Sequence, residues 1–544
     1  MTNTKMTWRP QYRSSKFRHV FGKAATKENC YDGVPITRSV HDNHFCSVNP
    51  RFIAVITECA GGGAFIVLSI NHTGKVDPHH PKVSGHRGNV LDIKWNPFND
   101  FCIASCSEDA TVKIWDIPKH GVLKNITVPW KELQGHSRRV GLIEWHPTAS
   151  NVLFSTGYDH QVMVWNLNTP EQVVKNPVRM ISVHPEVVLS MSFNTDGSRL
   201  ATSCKDKKIR VIDPRTGTLL QETSCKSHRA SKVLFLGNLK MLLSTGSSCW
   251  NHRQVALWDQ EDLSQPSFQE DLDGSSGVLF PFYDPDTHML YIAGKGDGNI
   301  RYYEVSAEKP YVHYLTEYRS ILPQKGVGVM PKRGLDVCSC EVFRFYRLVT
   351  IKSLIEPLSM IVPRRSETYQ EDIYPMTAGK EPALTAEEWL SGVDKGPMLM
   401  SLRPGSKVET YIDHLESRKS LSASLDTRRS QSRPGLLQLA YIQEQLGFAQ
   451  KEEHKGAGVS PSLLPSSRER SQDRSCALST AANNHEDLTQ NSPPKTENEL
   501  RQVFYKQQEE IRRLRELLNQ RDVRIKQLEL EIKNGTQQQP SCVS

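Results

Sequence analysis

Gly85-His86-Arg87-Gly88-Asn89-Val90 opens, and Asp109-Ala110-Thr111-Val112-Lys113-Ile114-Trp115-Asp116 closes, the segment that decides the fold. Its fixed points, Gly85-His86, Asp109 and Trp115-Asp116, return as Gly135-His136, Asp159 and Trp165-Asn166. The His-to-Trp spacing is 115 − 86 = 29 in the first copy and 165 − 136 = 29 in the second, and Asp precedes Trp by six residues in both. Weaker copies run His184, Asp206, Ile212-Asp213 and His228 to Trp258-Asp259, and a fifth keeps Asp297 six residues before Tyr303-Glu304. Successive copies end 45 to 50 residues apart, the period of a four-stranded propeller blade. Within a copy, Val90–Trp95 and Thr111–Trp115 alternate apolar and polar residues as half-buried strands do. Turn signals at Asn96-Pro97, Asp196-Gly197 and Asp284-Pro285 separate the strands.

Five repeats cover about 80–305, and the strand-rich flanks at about 30–75 and 310–362 each have room for one blade. The predicted fold class is therefore all-β: a seven-bladed WD40 β-propeller over 1–362, with no helical periodicity up to about residue 400. A ring of blades must close, and Lys16-Phe-Arg-His-Val-Phe-Gly22 is predicted to pair an N-terminal strand into the last blade. From 363 to 402 the text turns Pro-rich and irregular, and is expected to pack on the propeller as an extension. Residues 403–494, rich in Ser, Arg, Gln and Pro, read as a disordered linker, with a short amphipathic helix near 436–450 as a minor element.

Residues 495–534 carry heptads, followed by a tail at 535–544. With Phe504 at position a, Ile511, Leu518, Ile525 and Ile532 follow at a, while Leu500, Gln507, Leu514, Arg521 and Leu528 fall at d. All five a positions and three of the five d positions are apolar, which predicts a coiled coil for oligomerisation. Ile at a with Leu at d leans towards a dimer.

The net charge of +8 is unevenly placed: residues 1–30 hold seven Lys or Arg against one acid, Glu28. Such an excess attracts an acidic surface. The 12 Cys include no CxxC pair, so reduced thiols are expected rather than zinc or disulfides. No apolar run is long enough for a transmembrane segment, and no leader or lipidation motif is recognised, so a cytoplasmic location is expected. Gly61-Gly62-Gly63 lacks the Lys-Ser/Thr of a phosphate loop and reads as a hairpin turn. No continuous basic stripe with stacking aromatics is visible, so nucleic acid is not an expected partner. No cofactor is expected.

His86, Ser105, Asp109 and Trp115 are predicted to form a buried hydrogen-bonded tetrad, repeated by His136, Ser155, Asp159 and Trp165. His184, Thr202 and Asp206 are expected to keep three members, with Ile212 in place of Trp. Carboxylate orients imidazole, imidazole meets hydroxyl, and hydroxyl accepts from indole, so each polar group is paired in a dry site. A Ser-His-Asp trio also fits a hydrolase. Its recurrence in successive repeats and the lack of a nucleophile-elbow motif set that reading aside, and no catalytic residue is assigned.

Several inserts are more specific than the repeat: Ser15-Lys-Phe-Arg-His-Val-Phe-Gly22, Val211-Ile-Asp-Pro-Arg215, Leu279-Phe-Pro-Phe-Tyr-Asp-Pro285, Gly294-Lys-Gly-Asp-Gly298, Met330-Pro-Lys-Arg-Gly-Leu335, Glu356-Pro-Leu-Ser-Met-Ile-Val-Pro363 and Glu388-Trp-Leu-Ser391. Together they make the chain resemble the coronin family over nearly its whole length. Thr37-Arg-Ser-Val-His-Asp-Asn-His44 and Lys495-Thr-Glu-Asn-Glu-Leu500 look like class II, the short coronins or clipins. The resemblance implies a non-enzymatic F-actin-binding scaffold that organises the actin cytoskeleton in adhesion and motility. It further implies actin-branching or adhesion proteins as partners, and a place at the cell cortex and adhesions, with a nuclear pool as an addition. Arg13, Lys16, Arg18 and Arg38 are the candidate actin-binding residues. Class I members carry a basic residue where this chain has Pro35, with Arg38 three positions on. Coronin coils are often trimeric through an Arg-h-x-x-h-Glu motif (h apolar), which Arg524-Ile525-Lys526-Gln527-Leu528-Glu529 fits. The motif favours a homotrimer over a dimer, with Ile511, Leu514 and Leu518 in the same seam. The alternative function is a WD40 adaptor subunit of a nuclear co-repressor or ubiquitin-ligase complex.

Overall fold

A computed structural model describes residues 13–59, 61–224, 227–366 and 368–405, together with Glu509, Arg513, Glu516, Gln520 and Arg521, which are helical and exposed. The linker at 406–494 and the remaining heptad positions, including Ile511, Leu514, Leu518, Arg524, Ile525, Leu528 and Glu529, lie outside the described residues.

Strand pairing organises the chain into seven blades of antiparallel meanders. Blade 1 is Cys46–Val48, Phe52–Cys59, Gly62–Ser69 and Lys82–His86; blade 2 is Val90–Trp95, Cys102–Ser107, Thr111–Asp116 and Lys131–Gln134. Blades 3 to 6 start at Val140, Val188, His228 and Leu279 and keep the same meander. Blade 7 takes three strands, Gly326–Val329, Glu341–Val349 and Leu354–Ile361, from the segment that follows blade 6. Its outer edge is filled by Phe21–Ala24 (Phe21 opposite Ile361, Ala24 opposite Leu358) and by Tyr31 opposite Ile355. The edge strand starts at Phe21, because Phe17 to Val20 closes as a turn in which Val20 N donates to Phe17 O at 3.0 Å. The second and third strands are apolar on both faces, since each blade is sandwiched between two others; Ile53, Phe65, Ile103, Leu153, Leu243 and Leu290 are fully buried.

Two ends of the ring follow from this meander. At one, called here the lower end, the first strand of each blade turns into the second; at the other, the upper end, the second turns into the third and the outer strand passes to the next blade. The extension runs across the lower end. Tyr374 Oη donates to Glu341 O at 2.9 Å on blade 7, and Ala383 N and Leu384 N donate to Thr148 O on blade 3 at 2.9 and 3.1 Å. It then forms one turn of helix, Ala386–Leu390, before returning so that Leu399–Met400 pairs with Thr377–Ala378. This helix is absent from the sequence reading, because one turn is too short to show a 3.6-residue period. A capping box starts it: Glu388 N donates to Thr385 Oγ1 at 3.2 Å, and Thr385 N to Glu388 Oε2 at 2.8 Å. Its buried face is Ala386 and Trp389, both 0 % exposed.

Candidate functional site: buried tetrads and a cationic upper end

His86 ends the outer strand of blade 1, whereas Ser105, Asp109 and Trp115 belong to blade 2. His86 Nδ1 lies 3.0 Å from Asp109 Oδ2, its Nε2 2.8 Å from Ser105 Oγ, and Trp115 Nε1 donates to Ser105 Oγ at 2.8 Å. The second tetrad repeats these geometries, with Trp165 Nε1 to Ser155 Oγ at 2.8 Å and His136 Nδ1 to Asp159 Oδ2 at 2.9 Å. The network thus bolts one blade to the next, rather than locking a single blade. Burial pushes the Asp109 carboxyl upward, but hydrogen bonds from His86, Thr111 and the Arg87 amide outweigh it and hold the group well below the usual carboxylate range. Ser105 and Ser155 are 0 % exposed, so neither hydroxyl can meet a substrate. The Gly before each His also has a packing reason. A Cβ on Gly135 would stand 2.8 Å from the Trp165 ring, and one on Gly85 2.9 Å from Trp115.

The degenerate repeats differ from the sequence expectation. In blade 4, His184 Nε2 meets Thr202 Oγ1 at 2.9 Å, but its Nδ1 has no partner among the described residues. Asp206 faces Arg210 instead, at 2.5 Å, because the buried guanidinium is the stronger donor and Glu222, 2.8 Å away, balances its charge further. The three-member network expected there is therefore a His–Thr pair beside an ion-pair cluster. Burial, followed by the Arg210 charge, depresses the His184 imidazole to about 4. Blade 5 restores the full pattern with a different acceptor: Gln254 Oε1 lies 2.6 Å from His228 Nδ1, while Ser244 Oγ meets His228 Nε2 and Trp258 Nε1 at 2.8 Å each. Gln254 escaped the sequence reading, since it falls four residues before Trp258 instead of six and carries no charge.

The candidate basic residues separate. Arg13 pairs with Glu304 and Lys16 Nζ donates to Asp372 O at 2.9 Å, while Arg18 donates to Arg13 O. All three sit at the lower end, because Phe21 is opposite Ile361 at the lower tip of blade 7. Arg38 is exposed at the upper end, in the 33–45 connection, where its amide donates to Glu58 Oε1 at 2.6 Å. The same end displays Arg87, Arg138, Arg139, Lys205 and Lys207 in the connections of blades 1 to 4, and Arg229 at the start of the inner strand of blade 5, all exposed. Arg139 stacks 3.9 Å above the Tyr158 ring. The Pro35–Arg38 turn lines a groove of about 530 Å³ with Glu58 and Lys325.

The innermost strands enclose a central channel. A space of about 430 Å³ within it is lined by Asp92, Lys94, Glu144 and, at its upper boundary, Lys232. Lys94 Nζ and Glu144 Oε2 pair at 2.5 Å, and burial raises the Asp92 carboxyl to about 6. Among the described residues no cluster of three or more His, Cys, Asp or Glu is arranged to hold a metal ion, and no helix is long and apolar enough to cross a membrane.

A ring of seven such blades, two of its junctions bolted by His–Ser–Asp–Trp networks, defines a WD40-repeat propeller. The WD-domain, G-beta-repeat family matches residues 79–116, 127–166 and 175–213, each span running from the outer strand of one blade to the third strand of the next. A type of WD40 repeat matches 355–397, and a domain of unknown function, DUF1899, matches 10–75. The WD40 domain of a coronin from Toxoplasma gondii superposes with a TM-score of 0.66 at 27 % identity, covering 71 % of this chain and 98 % of that one. Human Coronin-2A is 66 % identical over 97 % of this chain and 98 % of its own length, and human Coronin-2B 56 % identical over 100 % of both. The chain belongs to the coronin family, and within it to class II.

Proposed function

We propose that the protein is a non-enzymatic, actin-filament-binding scaffold whose upper end faces the filament. The observation that carries this is the set of exposed cations, Arg38, Arg87, Arg138, Arg139, Lys205, Lys207 and Arg229, gathered on one end of a propeller of coronin type. Cations so arranged accelerate association with an acidic polymer and weaken it as salt screens them. Arg13 and Lys16 are occupied in holding the N-terminal segment to blade 6 and the extension. Their proposed role is therefore to close the ring, and Arg38 is the member of the original set that belongs to the contact surface. The heptads at 495–534 would join propellers, a homotrimer by the Arg524–Glu529 motif, so that weak sites act together at high effective concentration. Roles in adhesion and motility at the cell cortex follow from the same reading. Co-sedimentation of the full chain with filaments, with Arg138 and Arg139 both changed to Glu, tests it: loss of pelleting in a folded protein supports the upper end, and unchanged pelleting refutes it.

A further inference from the structure

The upper mouth of the central channel holds a buried cation that forms no salt bridge among the described residues. Lys232, on the inner strand of blade 5, is 8 % exposed. Among the described residues its ammonium donates to two backbone carbonyls, Asp42 O and Leu189 O, each at 3.0 Å. The nearby carboxylate of Asp42 favours the charge but is engaged by Lys295, whose Nζ holds its Oδ1 at 2.7 Å and also donates to Val40 O and His41 O. The Phe280 ring stands 5.6 Å away on another side, so among the described residues the ammonium, with three donors and a charge, meets two neutral acceptors and a ring face but no carboxylate oxygen in salt-bridge range. Other titratable groups acting on it are Asp92, Lys94 and Lys295; their balance does not rescue it, and burial lowers the Lys232 ammonium to about 8.

The space beside this ammonium is a cavity of about 280 Å³, walled by Val40, Leu142, Val188, Leu189 and Val278. Thr156, 2 % exposed, also lines the cavity, and its buried Oγ1 has no hydrogen-bond partner among the described residues. Tyr158 and His41 stand at the entrance, with Arg139 stacked on Tyr158 and Val40 projecting as an apolar lip, 88 % exposed. An unmatched buried cation, a free hydroxyl and an apolar collar describe a receptor for an anion borne on an aliphatic stem. The volume suits a side chain or two, and the cationic rim outside favours flanking negative charge. We propose that the channel mouth binds an acidic peptide segment of a partner protein, one carboxylate reaching Lys232 Nζ and Thr156 Oγ1. This assignment stands apart from the filament reading, because the groups that carry it are buried below the surface that would face actin.

The experiment titrates the full-length protein with a short fluorescent oligoglutamate peptide by anisotropy, with an oligoglutamine peptide as control. Binding by oligoglutamate and none by oligoglutamine is expected. Losing a charge-assisted hydrogen bond should weaken binding about ten-fold or more in Lys232→Gln, and about three-fold in Thr156→Val. Calorimetry near pH 8 in two buffers of different ionisation enthalpy should show proton uptake by the wild type and less by Lys232→Gln, since a bound carboxylate favours the charged lysine. Unchanged affinity in folded Lys232→Gln overturns the proposal; should that variant fail to fold, unchanged affinity in Thr156→Val does so. Free glutarate or inorganic phosphate competing as tightly as the peptide would replace the peptide by a small anion, and equally overturn it.

Discussion

Trp389→Ala tests how the extension is held, and its effect can be worked from the contacts. Trp389 is 0 % exposed, with its ring 4.7 Å from the His146 imidazole, 6.0 Å from Phe154 and 5.2 Å beneath the Arg215 guanidinium. Truncating such an aromatic costs about 3–5 kcal/mol. Its Nε1 is buried with no partner among the described residues, so removing it returns about 1 kcal/mol of desolvation and places the loss near the lower bound, about 3 kcal/mol. The propeller does not depend on this ring for its strand pairing, so the loss should appear as local opening of 383–394. Amide hydrogen exchange reads it directly. The Leu384 and Trp389 amides, which donate to Thr148 O and Thr385 O, should exchange about a hundred-fold faster, while amides in the Thr111–Asp116 strand keep their protection. Unchanged protection at Leu384 and Trp389, or an equal loss throughout blade 2, would refute the reasoning.

Other consequences follow from the tetrads and the ring closure. Asp109 and Asp159 have depressed carboxyls, so the stability they confer is complete above the unfolded carboxylate range near pH 4 and lost as pH falls through it towards their folded values. Urea midpoints measured from pH 6 to 3 should drop, with a smaller drop in Asp109→Asn; equal slopes would contradict this. Gln254→Ala strands His228 Nδ1 and removes the donor to Asp271 Oδ1, 2.7 Å away, and should cost about 1–3 kcal/mol in denaturant unfolding. Deleting residues 1–24 bares the Leu354–Ile361 edge, and light scattering should then find aggregates that the intact chain does not form.

Much of this fold is legible in sequence because a blade repeats its chemistry at fixed distances. The His86–Asp109–Trp115 spacing works because a tetrad needs a residue at the end of an outer strand, a hairpin residue and a strand residue, and the strand lengths between them barely vary. Where the chemistry is kept but the residue changes, the signal fails. Gln254 supplies by an amide oxygen what Asp109 supplies by a carboxylate, and Arg210 diverts Asp206 from His184 although the spacing still reads as a tetrad. Which residues share a face is less visible still. Arg13 and Arg38 are close in sequence, but the Phe21–Ala24 strand carries the chain from the lower end towards the upper, so the two cations end on opposite ends. Lys232 was hidden for a related reason. Strand alternation says which side a residue faces, whereas its unmatched charge depends on Lys295 capturing Asp42 from another blade.

The measurement that bears most directly on the central claim is filament co-sedimentation of the full chain across a salt series. Wild type is compared with Arg38→Glu combined with Arg138→Glu and Arg139→Glu, and with Arg13→Glu as a lower-end control. The upper-end variant should lose most of its pelleting at low salt, and wild-type binding should fall steeply as salt rises, while any Arg13→Glu loss should accompany weakened folding. Salt-insensitive binding, or full pelleting by the folded upper-end variant, would contradict an actin scaffold that works through this face.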